Sequence, residues 1–212
     1  MNKNDTLSKL KVKERVLRQQ IIVDAARNVF GRKTYDKVSM AEIANAAGIA
    51  KSSIYTYFKS QEELYANIVY MDSCDFLEDL ERHIQQFDMD PVGENGVRIC
   101  ITHFLSYYID HTAQWRMITH FALHGNNDME ALDQLNEIGR RLMDLFESVF
   151  RKLGCQRDAR ILAHTLFSCL SGILISFRNY PGRTESDRIA HMIRIGEMVE
   201  TMILALVSKN KG

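Results

Sequence analysis

Residues 39–64 read SMAEIANAAGIAKSSIYTYFKSQEEL, two short helical stretches around a glycine followed by a fresh helix start. Ala44, Gly48 and Ile54 have the spacing of a helix-turn-helix. Ala44 is small where a second helix crosses the first, Gly48 permits the positive φ of the turn, and Ile54 plugs the crossing. Two capping boxes, Ser39 with Glu42 and Ser60 with Glu63, set the starts of the first and third helices of the block. Packing leaves Lys51, Ser52, Ser53, Thr56, Tyr57 and Lys59 of the second helix free. Hydroxyl and ammonium groups of this kind meet base edges and phosphates in a duplex groove. Ser39 and Tyr55 join them as candidate DNA contacts.

Charge distribution points the same way. The chain of 212 residues is neutral overall, but residues 1–60 hold 12 Lys and Arg against 5 Asp and Glu, and residues 61–212 hold 15 against 22. A basic head on an acidic body concentrates attraction for phosphate at one end. With 46% hydrophobic residues the length suits a small head and one substantial core, not two full domains of ~150 residues each. Cys74, Cys100, Cys155 and Cys169 are scattered, without a CxxC pair, and read as reduced packing residues in a cytoplasm. The most apolar stretch, HTLFSCLSGILISF at 164–177, is shorter than the ~20 residues of a membrane crossing and reads as a buried helix. Residues 1–12 carry Lys3, Lys9 and Lys11 without an apolar core, so a loose basic arm is expected there.

Two prolines and no sustained two-residue alternation predict an all-α chain. Helices are expected at about 13–32, 40–46, 51–58, 60–87, 97–111, 113–124, 128–154, 157–179 and 184–208, with stops at Gly, Asn and Pro. The expected organisation is a flexible arm at 1–12, a three-helix DNA-binding domain with a helix-turn-helix at 13–59, and a larger helical domain at 60–212. The helix after Ser60 would connect the two.

From IIVDAARNVF at 21–30 to Leu64 the order of residues resembles the TetR family of bacterial one-component transcription regulators. Ala26 and Phe30 match that family's first-helix core and Tyr35 its aromatic before the second helix. Ser39, Ile43, Ala44, Ala47 and Gly48 match its helix-turn-helix, and Tyr55, Phe58, Glu62 and Leu64 complete the pattern. There are two departures. Thr34 stands where the family usually has glycine, so the turn after the first helix is expected to be built differently. Gln61 stands where a lysine commonly touches the DNA backbone, which moves that role toward Lys59.

Ser168, Gly172 and Ser176 lie four apart on one helix face, a spacing at which helices approach closely. Ile189, Met192, Ile193, Gly196, Val199, Met202, Ile203 and Leu206 give the last helix a broad apolar seam. The resemblance implies that these helices pair with their copies, making Ser168, Gly172, Ser176, Met192, Gly196, Val199 and Ile203 the expected homodimer interface. Intrachain core is the other reading. One helix-turn-helix covers one half-site, and two-fold pairing supplies the second.

Phe104, Tyr107, Tyr108, Trp115, Phe121, Phe146, Phe150 and Phe167 cluster in the body with Met117 and Met143. The resemblance implies an effector pocket here, with Phe104, Tyr108, Trp115, Met117, Phe121, Phe146 and Phe167 as its lining. Such a lining suits a small hydrophobic or aromatic effector, and the same stripe also fits a plain core. His120 and His124 have metal-ligand spacing, with His103 and His111 nearby, but no Cys or carboxylate converges on them, so neither a metal nor a cofactor is expected. No catalytic motif stands out, and no enzyme is expected. The resulting expectation is a cytoplasmic homodimeric repressor, without membrane attachment, released from a palindromic DNA operator by a small-molecule effector. An effector-blind, architectural or constitutive DNA-binding dimer is the alternative, and an all-helical enzyme the third reading.

Overall fold

The computed structural model describes residues 3–86, 94–124 and 130–209, with side chains over 8–85, 96–124 and 133–209. No strand occurs among the described residues. The order is α1 (Lys3–Arg32), a 3-10 turn (Tyr35–Lys37), α2 (Met40–Ala46), α3 (Lys51–Ile54), α4 (Gln61–Gln86), α5 (Glu94–Asp110), α6 (Thr112–His124), α7 (Glu130–Lys152), α8 (Ala159–Phe177) and α9 (Glu185–Lys209). The all-α expectation therefore holds. Helix α1 starts about ten residues before its expected bound, so the arm expected over 1–12 is helical from Lys3. No Gly or Pro interrupts the chain before Gly31, and its Lys, Leu, Glu and Arg are good helix formers.

The chain divides into two compact units. The first comprises Met1–Met71 with Ala113–Leu132, and the second Asp72–Thr112 with Asp133–Gly212. The division between these units falls inside α4, after Met71, and α6 lies in the first unit.

In the first unit Ile22, Val23, Ala26 and Phe30 of α1 are buried with Ile43, Ala44, Ile54, Phe58 and Leu64. Phe30, Tyr35 and Tyr65 form an aromatic cluster with Phe30–Tyr65 and Tyr35–Tyr65 centroids 4.8 and 4.9 Å apart. Arg116 of α6 donates to the carbonyls of Phe30 and Lys33 and so satisfies the free carboxyl end of α1. The Tyr65 hydroxyl donates to the Met117 carbonyl at 3.3 Å, and burial pushes this phenol above its usual pKa. Thr34 sits in extended backbone at φ −72°, which replaces the glycine turn with ordinary geometry.

The second unit is built on α5, α8 and α9 packed against one another. Helix α9 comes closest to α5 at Gly196, where a Cβ would lie 2.7 Å from Leu105 Cδ1 and 3.1 Å from Ile101 Cγ2. Met192, Val199 and Ile203 share this inner face and are buried. These four residues, expected at the dimer interface, therefore belong to the chain's own core: of the broad apolar seam of α9, this stripe is the part turned toward α5. Arg98 bonds Glu200 at 2.9 Å beside the same seam. The Cys100 thiol, fully enclosed, is pushed up to about 12 by burial.

Helix α8 departs from its expected burial. Its most apolar 18-residue window has mean hydropathy 1.5, yet only 33% of that window is buried. Ile161 and Ile175 are 61% and 64% exposed. By length and composition alone it meets the criteria of a membrane span; within the unit it packs on α5 and α9.

Two glycines give opposite expectations. Gly196→Val should cost ~1–3 kcal/mol through overpacking against Leu105 and Ile101. Gly139→Ala, in α7 with nothing within 4 Å, should stabilise by up to ~1 kcal/mol through helix propensity. Urea unfolding followed by circular dichroism reads both.

Candidate functional site

Helix α2 begins as its sequence requires. Ser39 is extended at φ −129°, and its Oγ accepts the Glu42 amide at 3.2 Å. The helix ends in a Schellman motif: Gly48 N–H donates to Asn45 at 3.1 Å and Ile49 N–H to Ala44 at 3.0 Å, with Gly48 at φ 68°. That turn delivers Ile54 into the crossing, where it is fully buried as α3 packs on α2, whose Ile43 and Ala44 are buried too.

The second helix of the motif is shorter than expected. After Ile54 the chain continues as tight turns, with Thr56 N–H donating to Ser53 and Tyr57 N–H to Ile54, at 3.1 and 3.0 Å. Ile54 and Phe58 point inward, so Lys51, Ser52, Ser53, Tyr55, Thr56 and Lys59 stand exposed and Tyr57 half-buried. Ser60 Oγ accepts the Glu63 amide at 3.1 Å, and Glu63 accepts the Lys59 amide at 2.6 Å, which sets where α4 starts. Gln61 turns inward and donates to the Tyr35 carbonyl at 3.0 Å, so its amide is engaged in the fold.

Helix α1 adds residues missed in the sequence. Lys11, Glu14, Arg15 and Arg18 line a recess of about 410 Å³ together with Thr56 and Tyr57. Arg15 lies with its guanidinium 5.9 Å from the Tyr57 ring centroid and 3.5 Å from the Thr56 carbonyl. Arg18 pairs with Glu14 at 2.9 Å. The signal was available: Lys11, Arg15 and Arg18 follow at four and three residues, one cationic helix face. Cations flanking an exposed polar helix face form a surface for a phosphate backbone and base edges.

The residues expected around an effector are divided. Phe104, Tyr108 and Phe146 are buried and Phe167 half-buried in the second unit, with Phe104–Tyr108 and Phe104–Phe167 centroids 5.0 and 6.1 Å apart. Phe76 of α4, absent from the expected set, joins them at 5.5 Å from Phe104 and 4.8 Å from Tyr108. Trp115, Met117 and Phe121 are buried in α6 and belong to the first unit. Of the expected dimer residues, Ser168, Gly172 and Ser176 are exposed, and nothing lies within 4 Å of a Cβ at Gly172. His120 stacks on Tyr35 at 5.1 Å, with His124 at 4.9 Å; burial, then His124, lowers its pKa.

Residues 22–68 match the family model described as "Bacterial regulatory proteins, tetR family". The fatty acid metabolism regulator protein of Bacillus subtilis (strain 168) is 26% identical over 128 residues, 60% of this chain and 63% of the relative. The chain thus spans less than two thirds of that relative's length. The fold resembles the crystal structure of the transcriptional regulator FadR from Bacillus subtilis in complex with stearoyl-CoA, at TM-score 0.67 and 18% identity, over 85% of this chain and 96% of that one. It also resembles AibR in complex with isovaleryl coenzyme A and operator DNA, at TM-score 0.65 and 20% identity, over 84% and 97% of the two chains. At these identities the likeness establishes the fold.

On duplex DNA, Lys51→Ala or Tyr57→Ala should weaken binding to a preferred site by ~1–3 kcal/mol if the side chain reaches a base, and leave other sequences nearly unchanged. Arg15→Ala and Lys59→Ala should weaken all sequences alike, each reducing the slope of log K against log salt by ~0.9. Fluorescence anisotropy at several salt concentrations separates the two classes.

Proposed function

Because the chain belongs to the tetR family of bacterial regulatory proteins, we propose that it is a cytoplasmic, two-fold symmetric transcriptional repressor that leaves its operator when a fatty acyl thioester binds. The observation that carries DNA binding is the exposed face of Lys51, Ser52, Ser53, Tyr55, Thr56 and Lys59, held outward by buried Ile54 and Phe58 and flanked by Arg15. The role asks for binding alone and needs no catalytic group.

The effector class is supported by three facts of different weight. FadR and AibR were crystallised with acyl-CoA ligands, and the Bacillus subtilis relative is a fatty acid metabolism regulator. The second unit supplies an apolar aromatic cluster around Phe76, Phe104 and Tyr108. These rings touch one another as described, so an acyl chain entering among them must separate them. That requirement couples occupancy to helix position. A tenfold loss of DNA affinity needs ~1.4 kcal/mol of difference in effector binding between the two states.

Pairing of two chains rests on α8 and the outer face of α9. Ile161, Ser168, Gly172, Ile175 and Ser176 share the uncovered face of α8, and Met198, Met202 and Leu206 that of α9. A two-fold axis would bury both faces and set two reading heads on successive half-sites.

Short-, medium- and long-chain acyl-CoAs should be tried for thermal shift and for release of operator DNA. At least one is expected to do both, and Phe104→Ala should weaken that response while operator affinity stays near its original value. Absence of any shift from a protein that still binds DNA overturns the effector assignment in favour of an effector-blind DNA-binding dimer.

Gly172→Leu should leave the helical content of the isolated chain intact, because its Cβ direction is open. In sedimentation velocity the variant should move toward monomer and lose specific DNA binding; an unchanged dimer places the interface elsewhere.

A further inference from the structure

Asp79 and His83 stand one turn apart on α4, and His103 reaches them from α5, all within the second unit. One ligand atom from each of the three lies within 4.8 Å of the others. His103 Nε2 is buried, 3.1 Å from Asp79 Oδ2, and has no partner in hydrogen-bond geometry among the described residues. The two imidazoles lie 4.4 Å apart between centroids, tilted by 34°.

The surroundings place His103 and Asp79 side by side, while His83 faces Asp79 Oδ2 through Nδ1 at 3.8 Å and has to turn to present a ligand atom. His83 Nδ1 lies 2.7 Å from the Asp79 carbonyl, so the tautomer that donates there leaves Nε2 with its lone pair free. The second carboxylate oxygen, Asp79 Oδ1, is held by Arg82 at 2.5 Å, which leaves Oδ2 on the side of His103. Phe76 stacks on His103 at 5.9 Å and fixes the plane of that ring. Burial, with His83 second, lowers the His103 pKa, against the neighbouring Asp79 carboxylate. Nearby Arg82, paired with Asp79 and exposed on its other side, opposes a cation here, since its charge is among the causes that lower His103.

We propose that Asp79, His83 and His103 bind one late first-row divalent cation of the Zn²⁺, Co²⁺ and Ni²⁺ class, with at least one coordination position open. Two imidazoles and one carboxylate match the nitrogen and oxygen preference of these ions, whereas Mg²⁺ and Ca²⁺ seek oxygen sets. Bonds of ~2.0–2.2 Å place tetrahedral ligand atoms roughly 3.4 Å apart. Closing from the present spacing takes rotation of the His83 side chain, which is 44% exposed. The ion would tie α4 to α5, so the metal-bound chain is the more stable one.

The test uses untagged full-length protein stripped with chelator, titrated with Co²⁺ while its visible absorption is recorded, and with Zn²⁺ by calorimetry. One ion per chain is expected, with a rise in melting temperature and no competition from excess Mg²⁺. His83→Asn should weaken binding by at least ~100-fold while its metal-free melting temperature stays with the wild type, since the side chain is half-exposed. Asp79→Asn and His103→Gln should likewise weaken binding, and His124→Asn should bind as wild type. No saturable binding, or equal affinity in His83→Asn, overturns the site.

Discussion

One residue at a positive φ governs the reading head. Gly48 at 68° lets the backbone reverse within a Schellman turn, and only that reversal brings Ile54 into the crossing of α3 on α2. With Ile54 seated, α3 has no rotational freedom left: its Lys and Ser side chains and the hydroxyls that follow must face outward. A Cβ at position 48 would meet no neighbouring atom, so the cost of replacing this glycine is purely conformational. The residues displayed on the exposed face are thus set by a constraint on its opposite, buried side.

The second unit obeys a different logic, in which glycine and apolar surface decide which helices meet. At Gly196 the missing side chain admits Leu105 and Ile101, and α9 lies close on α5. At Gly172 the missing side chain admits nothing from the same chain. An apolar helix with two thirds of its window uncovered and a small residue at the centre of that face is unfinished as a monomer surface.

Local chemistry was readable and long-range packing was not. The bounds of α2, both serine caps and the role of Gly48 follow from residues at most a few positions apart, and the structure reproduces them. On α9 the apolar seam is so broad that periodicity alone does not tell the stripe of Met192, Gly196, Val199 and Ile203 from that of Met198, Met202 and Leu206. The choice depends on α5, nearly a hundred residues earlier. Arg15 does not stand out in the sequence because no described side chain of α1 before Ile22 is buried, so that stretch has no apolar reference for its register. His103 sits on a different helix from Asp79 and His83, so no spacing rule links it to them, while in the more conspicuous pair His120 stacks on Tyr35 and His124 lies against His120.

The position of α6 makes the reading head a discontinuous object. Arg116 closes the carbonyl end of α1, and the Met117 carbonyl receives the Tyr65 hydroxyl, although both come some fifty residues after the head's own stretch of sequence. A fragment cut after α4 begins would carry every residue of the proposed DNA-facing surface and still leave bare carbonyls and an unpaired phenol inside. Chimeras that exchange DNA specificity between such chains must therefore transplant two segments, the N-terminal stretch and its α6 brace, because the boundary that matters for folding is not the boundary of the motif.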